Sequence, residues 1–173
     1  MNLQSLLRAS RQELLADAVE SVRRARLEHY EAAGPGLIRQ RLDDLLGLVI
    51  DAVGQRNLAA IVDHANAVAT KRFEEGVDLS EVQTAFNVLE EALWLHILKR
   101  VPAAEQGEAL GLVGTVLGAG KDVLARTYVS MATRTRTPSL NLDAMFSGTE
   151  TFQPPTQGLI LPGKHEFHSI CKT

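Results

Sequence analysis

"KRFEEGVDLSEVQTAFNVLEEALWLHIL", residues 71–98, decides the fold. Its first residues end one helix, Gly76 turns the chain, and Asp78 opens another helix. Leu79, Val82, Phe86, Leu89, Leu93 and Ile97 recur at helical spacing and share one face of that helix, about residues 79–100. Asp78 and Glu81 have the spacing of a capping box, in which two side chains satisfy each other's backbone N–H groups. Arg72 lies one turn before the break. No side chain here is placed as a nucleophile, so the corner of Arg72, Gly76, Asp78 and Glu81 reads as architecture, which either merely joins two helices or also fixes their angle and shapes a groove or pocket between them.

The same period continues on both sides. Toward the N-terminus, about residues 2–33 read as helix with an interruption near Ser10, where "SRQE" repeats the capping-box pattern. "AAGPG" (32–36) ends it. A second helix, about 36–53, carries Ile38, Leu42, Leu45, Val49 and Val53, and Gly54 stands where a left-handed cap belongs. Asn57 opens a third, about 58–75, with Ile61, Ala65, Ala69 and Phe73 inward. Beyond the corner helix, Pro102 suits the first turn of a fifth, about 103–133. That helix is apolar on two sides, with Val113, Leu117, Leu124 and Tyr128 on one and Leu112, Val116, Ala119 and Val123 on the other. Such a helix is central in a bundle or shared with a second subunit.

From about Thr135 the pattern stops, and four of the six prolines lie beyond that point. No hairpin-linked strand pair and no internal repeat is found. The expected architecture is all-α: a bundle of about five helices in residues 1–134, then a Pro/Gly/Thr-rich tail, 135–173, extended or disordered unless docked.

Composition narrows the function. The 173 residues are 45% hydrophobic, 23% charged and only 5% aromatic, which suits helices packed on helices. A net charge of -3 gives no footprint for nucleic acid, and the basic run Arg23, Arg24, Arg26 is flanked by Glu20 and Glu28 as on a solvated helix face. One cysteine, Cys171, excludes an internal disulfide framework and fits a reducing cytosol. Neither a signal peptide nor an apolar run of roughly 18–20 residues is seen, so a cytoplasmic protein without a membrane segment is expected.

Catalytic and metal patterns fail on spacing. "GLVGTVLGAGKD" (111–122) has glycines and a lysine but no preceding strand, and Asp122 stands where Ser or Thr should follow Lys121. Gly111, Gly114 and Gly118 are expected instead to let neighbouring helices approach. A carboxylate di-metal site needs Glu-x-x-His, which is absent; Asp63–His64 and Glu90–Glu91 are adjacent residues that point about 100° apart. His64 and His96 are candidate axial ligands for a haem, and a histidine satisfied at a core margin explains each as well. In the tail, His165, His168 and Cys171 recur every third residue, one ligand short of a closed zinc site.

"LEHY" (27–30), the stretch 42–94 from "LDDLLGLVIDAVGQ" to "EEALW", and the long closing helix together resemble the N-terminal domain of RsbRD-type stressosome co-antagonists. The most specific positions are Arg72, Gly76, Leu79, Glu81 and Val82, and the resemblance covers roughly residues 5–133. It implies a bacterial sensory input module, helical and loosely globin-like, with a tendency to dimerise and no catalytic residues. Such modules are usually followed by an effector domain, a phosphorylatable STAS domain or a DNA-binding region. About 40 residues follow the fifth helix here, so a free-standing version acting on separate partners is expected.

The resulting expectation is a non-enzymatic signalling module, a homodimer that works with other proteins of a bacterial regulatory system. Its contact surfaces are expected at Trp94, at the second apolar face of the fifth helix (Leu112, Val116, Val123), and at tail anchors such as Phe146 and Phe152. No cofactor is expected; the alternative is a haem-binding sensor ligated through His64 or His96.

Overall fold

Asn2 opens α1 (Leu3–Ala9) by accepting a 3.4 Å hydrogen bond from the Ser5 N–H. Ser10 ends that helix in a non-helical conformation, and α2 (Arg11–Ala25) starts on its far side. The interruption read at Ser10 is therefore a real break. The capping box suggested there does not hold it: the Glu13 carboxylate turns toward Arg100 at 3.5 Å. The remaining helices are α3 (Pro35–Gln55), α4 (Ala59–Glu74), α5 (Leu79–Arg100) and α6 (Ala103–Arg136). The computed structural model describes residues 2–25, 32 and 34–136, and these contain six helices and no strand. Splitting the first segment at Ser10 accounts for the sixth. Because α6 runs to Arg136, the first positions assigned to the tail are helical; residues 137–173 lie outside the described residues.

One stop signal acts differently from its reading. Gly54 lies inside α3, and the left-handed residue that ends the helix is Arg56, at φ 50° and ψ 42°. Gly54 leaves room for Gln4 of α1, whose side-chain end would lie 2.1 Å from a Cβ there and would have to swing aside for a larger residue. Asn57 does supply the next start, its Oδ1 accepting from the Ala59 N–H at 2.9 Å. At the far end of α5, Gln106 Nε2 donates to the carbonyls of Leu98 and Val101, at 3.2 and 2.9 Å, which lack helical partners.

The centre of the bundle is α6, about 51 Å long at 1.5 Å per residue. It packs chiefly on α4 and α5 and also on α3, while α2 bridges α3 and α5 and α1 lies on α3. Leu14, Leu46, Ile50, Ile61, Leu89, Leu93, Leu117 and Leu124 are fully buried between these layers. The close approach in α6 is at Gly120, where a Cβ would sit 2.7 Å from the Phe86 ring. Gly111, Gly114 and Gly118, expected to serve that purpose, face open space: nothing lies within 4 Å of a Cβ built on any of them. Val116 is likewise not on a second outer face. It is 4% exposed and belongs to the core with Val113 and Leu117.

Candidate functional site

The corner is built from backbone first. Gly76 has φ +74°, a left-handed conformation that glycine adopts without penalty. Its N–H donates to Phe73 O and the Val77 N–H to Arg72 O, both at 3.0 Å, so the last carbonyls of α4 are satisfied by the reversal itself. Asp78 then accepts from the Ser80 N–H at 2.7 Å, and hydrogen bonding to Ser80 holds its carboxyl below the usual carboxylate range. The partner in this cap is Ser80; the Glu81 N–H donates to the Asp78 backbone carbonyl at 3.1 Å.

Two aromatic contacts anchor the corner to the centre of the bundle. The buried Tyr128 hydroxyl of α6 donates to Val77 O at 3.2 Å, and the Tyr128 ring meets Phe73 edge-on, centroids 5.6 Å apart and planes at 81°. Arg72, one turn before the break, pairs with Glu75. Beneath it lies a cavity of about 80 Å³ between α3, α4 and α5, lined by Arg41, Asp44, His64 and Arg72 and by apolar residues including Leu45 and Phe86. Burial pushes the His64 imidazole below its ordinary range, and Asp44 opposes that in part.

His96 is placed differently. It is 4% exposed, on the buried face of α5, with Nδ1 4.0 Å from Glu13 Oε1 of α2 and no hydrogen-bond partner at Nε2 among the described residues. Burial is the main force lowering its pKa; Arg100 and Lys99 add to it, while Glu13 and Asp17 oppose it. The environment therefore favours the neutral ring.

The outer side of α5 carries the largest apolar exposure. Trp94 and Leu98, 45% and 52% exposed, lie one turn apart on one face, while Leu95, 49% exposed, is turned about 100° from Trp94 toward α2. Lys121 of α6 bonds Glu90 and Asn87 of α5 at 2.7 and 3.4 Å, while Gln106 reaches Leu98, which fixes α5 and α6 as antiparallel neighbours. On α6 the face of Lys121 continues through Gly118, Gly114, Gly111 and Gly107, and on α5 the face of Asn87 and Glu90 continues to Trp94. Helical spacing from the Lys121–Glu90 contact thus assigns the α6 glycines and Trp94 to the same side of the α5–α6 pair. Sequence periodicity singled out Trp94 but not its neighbours Leu95 and Leu98, because outward apolar residues differ from core ones only by register.

The other expected contact residues separate. Leu112 is half-buried and lines a cleft of about 240 Å³ with Gln4, Arg56 and Glu108, and Val123 is half-buried against the core. Phe146, Phe152, His165, His168 and Cys171 lie outside the described residues. Among the described residues no group of three or more His, Cys, Asp or Glu is placed to hold a metal ion, and no helix is long and apolar enough to cross a membrane.

The protein family described as "RsbT co-antagonist protein rsbRD N-terminal domain" matches the chain over residues 12–139. The chain belongs to this family. Comparison with curated proteins and with solved structures gave no significant match. Membership of the rsbRD N-terminal family makes this a stressosome-related regulatory domain, from a family of signalling modules and not one known for catalysis. The matched span takes in α2 from its second residue through α6, including the corner and the outer face of α5, and α1 lies before it.

Proposed function

We propose that this domain is a non-enzymatic input module of a bacterial regulatory system, acting in the cytoplasm through protein–protein contacts and as a homodimer. The observation that carries the reading is the outer face of α5 and α6, where Trp94 and Leu98 protrude beside the glycine stripe. A bulky ring next to a trough with no side chains is self-complementary: across a two-fold axis, each copy's indole faces the other's trough. Large aromatics at the centre of a contact commonly carry much of its energy. Signalling would then be a change in helix packing that the second copy or another protein senses, with the α4–α5 corner as the element whose angle a ligand biases. The tail, with Phe146 and Phe152, remains the candidate arm toward separate partners.

Against the haem alternative, this reading takes His64 and His96 as histidines of the core margin. The cavity beside His64, about 80 Å³, is well below the roughly 300–1,000 Å³ of pockets that take drug-sized ligands. His96 offers Nε2 to packed core.

The test is the molecular mass of the full chain in solution, by light scattering after gel filtration, for wild type and Trp94→Glu. A dimer that Trp94→Glu converts to a folded monomer supports the reading. A wild-type monomer at micromolar concentration, or a dimer indifferent to the substitution, contradicts it.

A further inference from the structure

We propose that His96 makes the contact between α2 and α5 an acid-released latch, closed while the imidazole is neutral and opened, with the rest of the bundle still folded, when the ring is protonated. The latch belongs to the bundle itself and holds whether or not two copies pair. Among the described residues His96 is the one histidine, acid or base that is buried. Its Nδ1 faces Glu13 of α2 at 4.0 Å, and its Nε2 has no hydrogen-bond partner among those residues. A neutral ring carries one N–H, which can sit at Nδ1 toward the carboxylate and leave only a lone pair at Nε2. A protonated ring carries both. The second N–H then lies in packed core without an acceptor, and its charge is held away from water.

The surrounding charges do not compensate. Glu13 and Asp17 of α2 favour the imidazolium, while Lys99 and Arg100, in the last turn of α5 itself, oppose it. Glu13 is also shared, since its other oxygen faces Arg100 at 3.5 Å. No charge of α3, α4 or α6 is among those acting on the ring, and where α6 meets α5, Lys121 and Glu90 are paired with each other. Burial outweighs the two carboxylates, so the closed latch holds its proton less tightly than an exposed imidazole does. Acid therefore favours a folded state in which α2 stands away and His96 reaches water. The fold allows that state. Ser10 breaks the chain between α1 and α2, and the pairs Arg8–Asp51 and Arg11–Asp43, at 2.8 and 2.7 Å, hold both sides of the break to α3. Because α2 packs chiefly on α3 and α5 and not on the central α6, it can tilt about Ser10 while α4, α5 and α6 stay packed.

Hydrogen exchange of the full-length chain tests the latch, at neutral and mildly acidic pH, corrected for the intrinsic rate at each and repeated in low urea to mark global unfolding. The α2 amides should exchange through a local opening that low urea barely speeds, while those of α4 and α6 follow global unfolding. About one pH unit below 6.5 that opening should be up to about tenfold more frequent, the limit for a histidine with an ordinary pKa once it is open. His96→Leu should remove the acid response. Glu13→Gln, which keeps the ring and takes away its nearest carboxylate, should lower the pH at which the His96 resonances titrate. Exchange of α2 only together with the whole bundle, an opening equally frequent at both pH values, the same acid response in His96→Leu, or an unmoved His96 titration in Glu13→Gln would overturn the inference.

Discussion

Three glycines show how far one atom's placement matters. At Gly76 a Cβ meets nothing within 4 Å, but φ is +74°, so Gly76→Ala is penalised by conformation alone. The expected loss is about 1–2 kcal/mol, with Gly76→Asn losing less because asparagine tolerates the left-handed region; chemical denaturation of the three proteins decides it. At Gly120 the backbone is helical but Phe86 is 2.7 Å from the added methyl group, and overpacking of that kind costs roughly 1–3 kcal/mol. Gly114 has neither constraint. Gly114→Ala should stabilise the monomer by up to about 1 kcal/mol and weaken self-association, a pairing of opposite effects that no purely internal role would give. Which glycine does which was only partly legible. Gly76 could be read because its neighbours Arg72 to Asp78 carry the whole signal of a helix end and a helix start. Gly54 and Gly120 could not, because Gln4 and Phe86, the side chains that lie against them, are distant in sequence.

Among the elements, α5 binds the structure together, and His96 makes its contact with α2 dependent on pH. Burial lowers the folded-state pKa of His96, and that of His64, below the unfolded value near 6.5. Between the lowered value and about 6.5 the unfolded chain holds more protons than the folded one, so stability falls as pH drops through that window. Denaturant unfolding of wild type at neutral and mildly acidic pH should show the decline, and His96→Leu should reduce it, since Glu13 lies 4.0 Å away, too far for a good hydrogen bond in compensation. An undiminished decline in His96→Leu would move the effect to other groups. At the N-terminal end of the described residues, α1 lies outside the family match yet buries Leu7 completely. Leu7→Ala should therefore cost about 2–5 kcal/mol, as for other core leucines, and a loss much below that in thermal unfolding would make α1 a loose appendage. The helices themselves were legible because period, caps and Gly/Pro punctuation agree along the chain. The burial of Val116 was not, since a two-sided apolar helix states that both sides are covered without saying by what.

At the scale of the molecule, a rigid corner, a small cavity lined by arginines and an aromatic-and-glycine outer face lie within one regulatory domain. The family match accounts for the bundle, and in the proposed reading the outer face is the surface through which a change of helix angle is communicated. Membership was legible in the sequence through the spacing around Arg72, Gly76 and Leu79; the cavity was not, because Arg41, His64 and Phe86 come from three helices and meet only after folding. Whether this face joins two copies is decided by sedimentation equilibrium of the full-length chain, compared with Trp94→Glu and Gly114→Ala. Signalling through self-association requires a dimer for wild type, a folded monomer for Trp94→Glu and a weakened dimer for Gly114→Ala. A wild-type monomer, or a dimer equally strong in both variants, would contradict it.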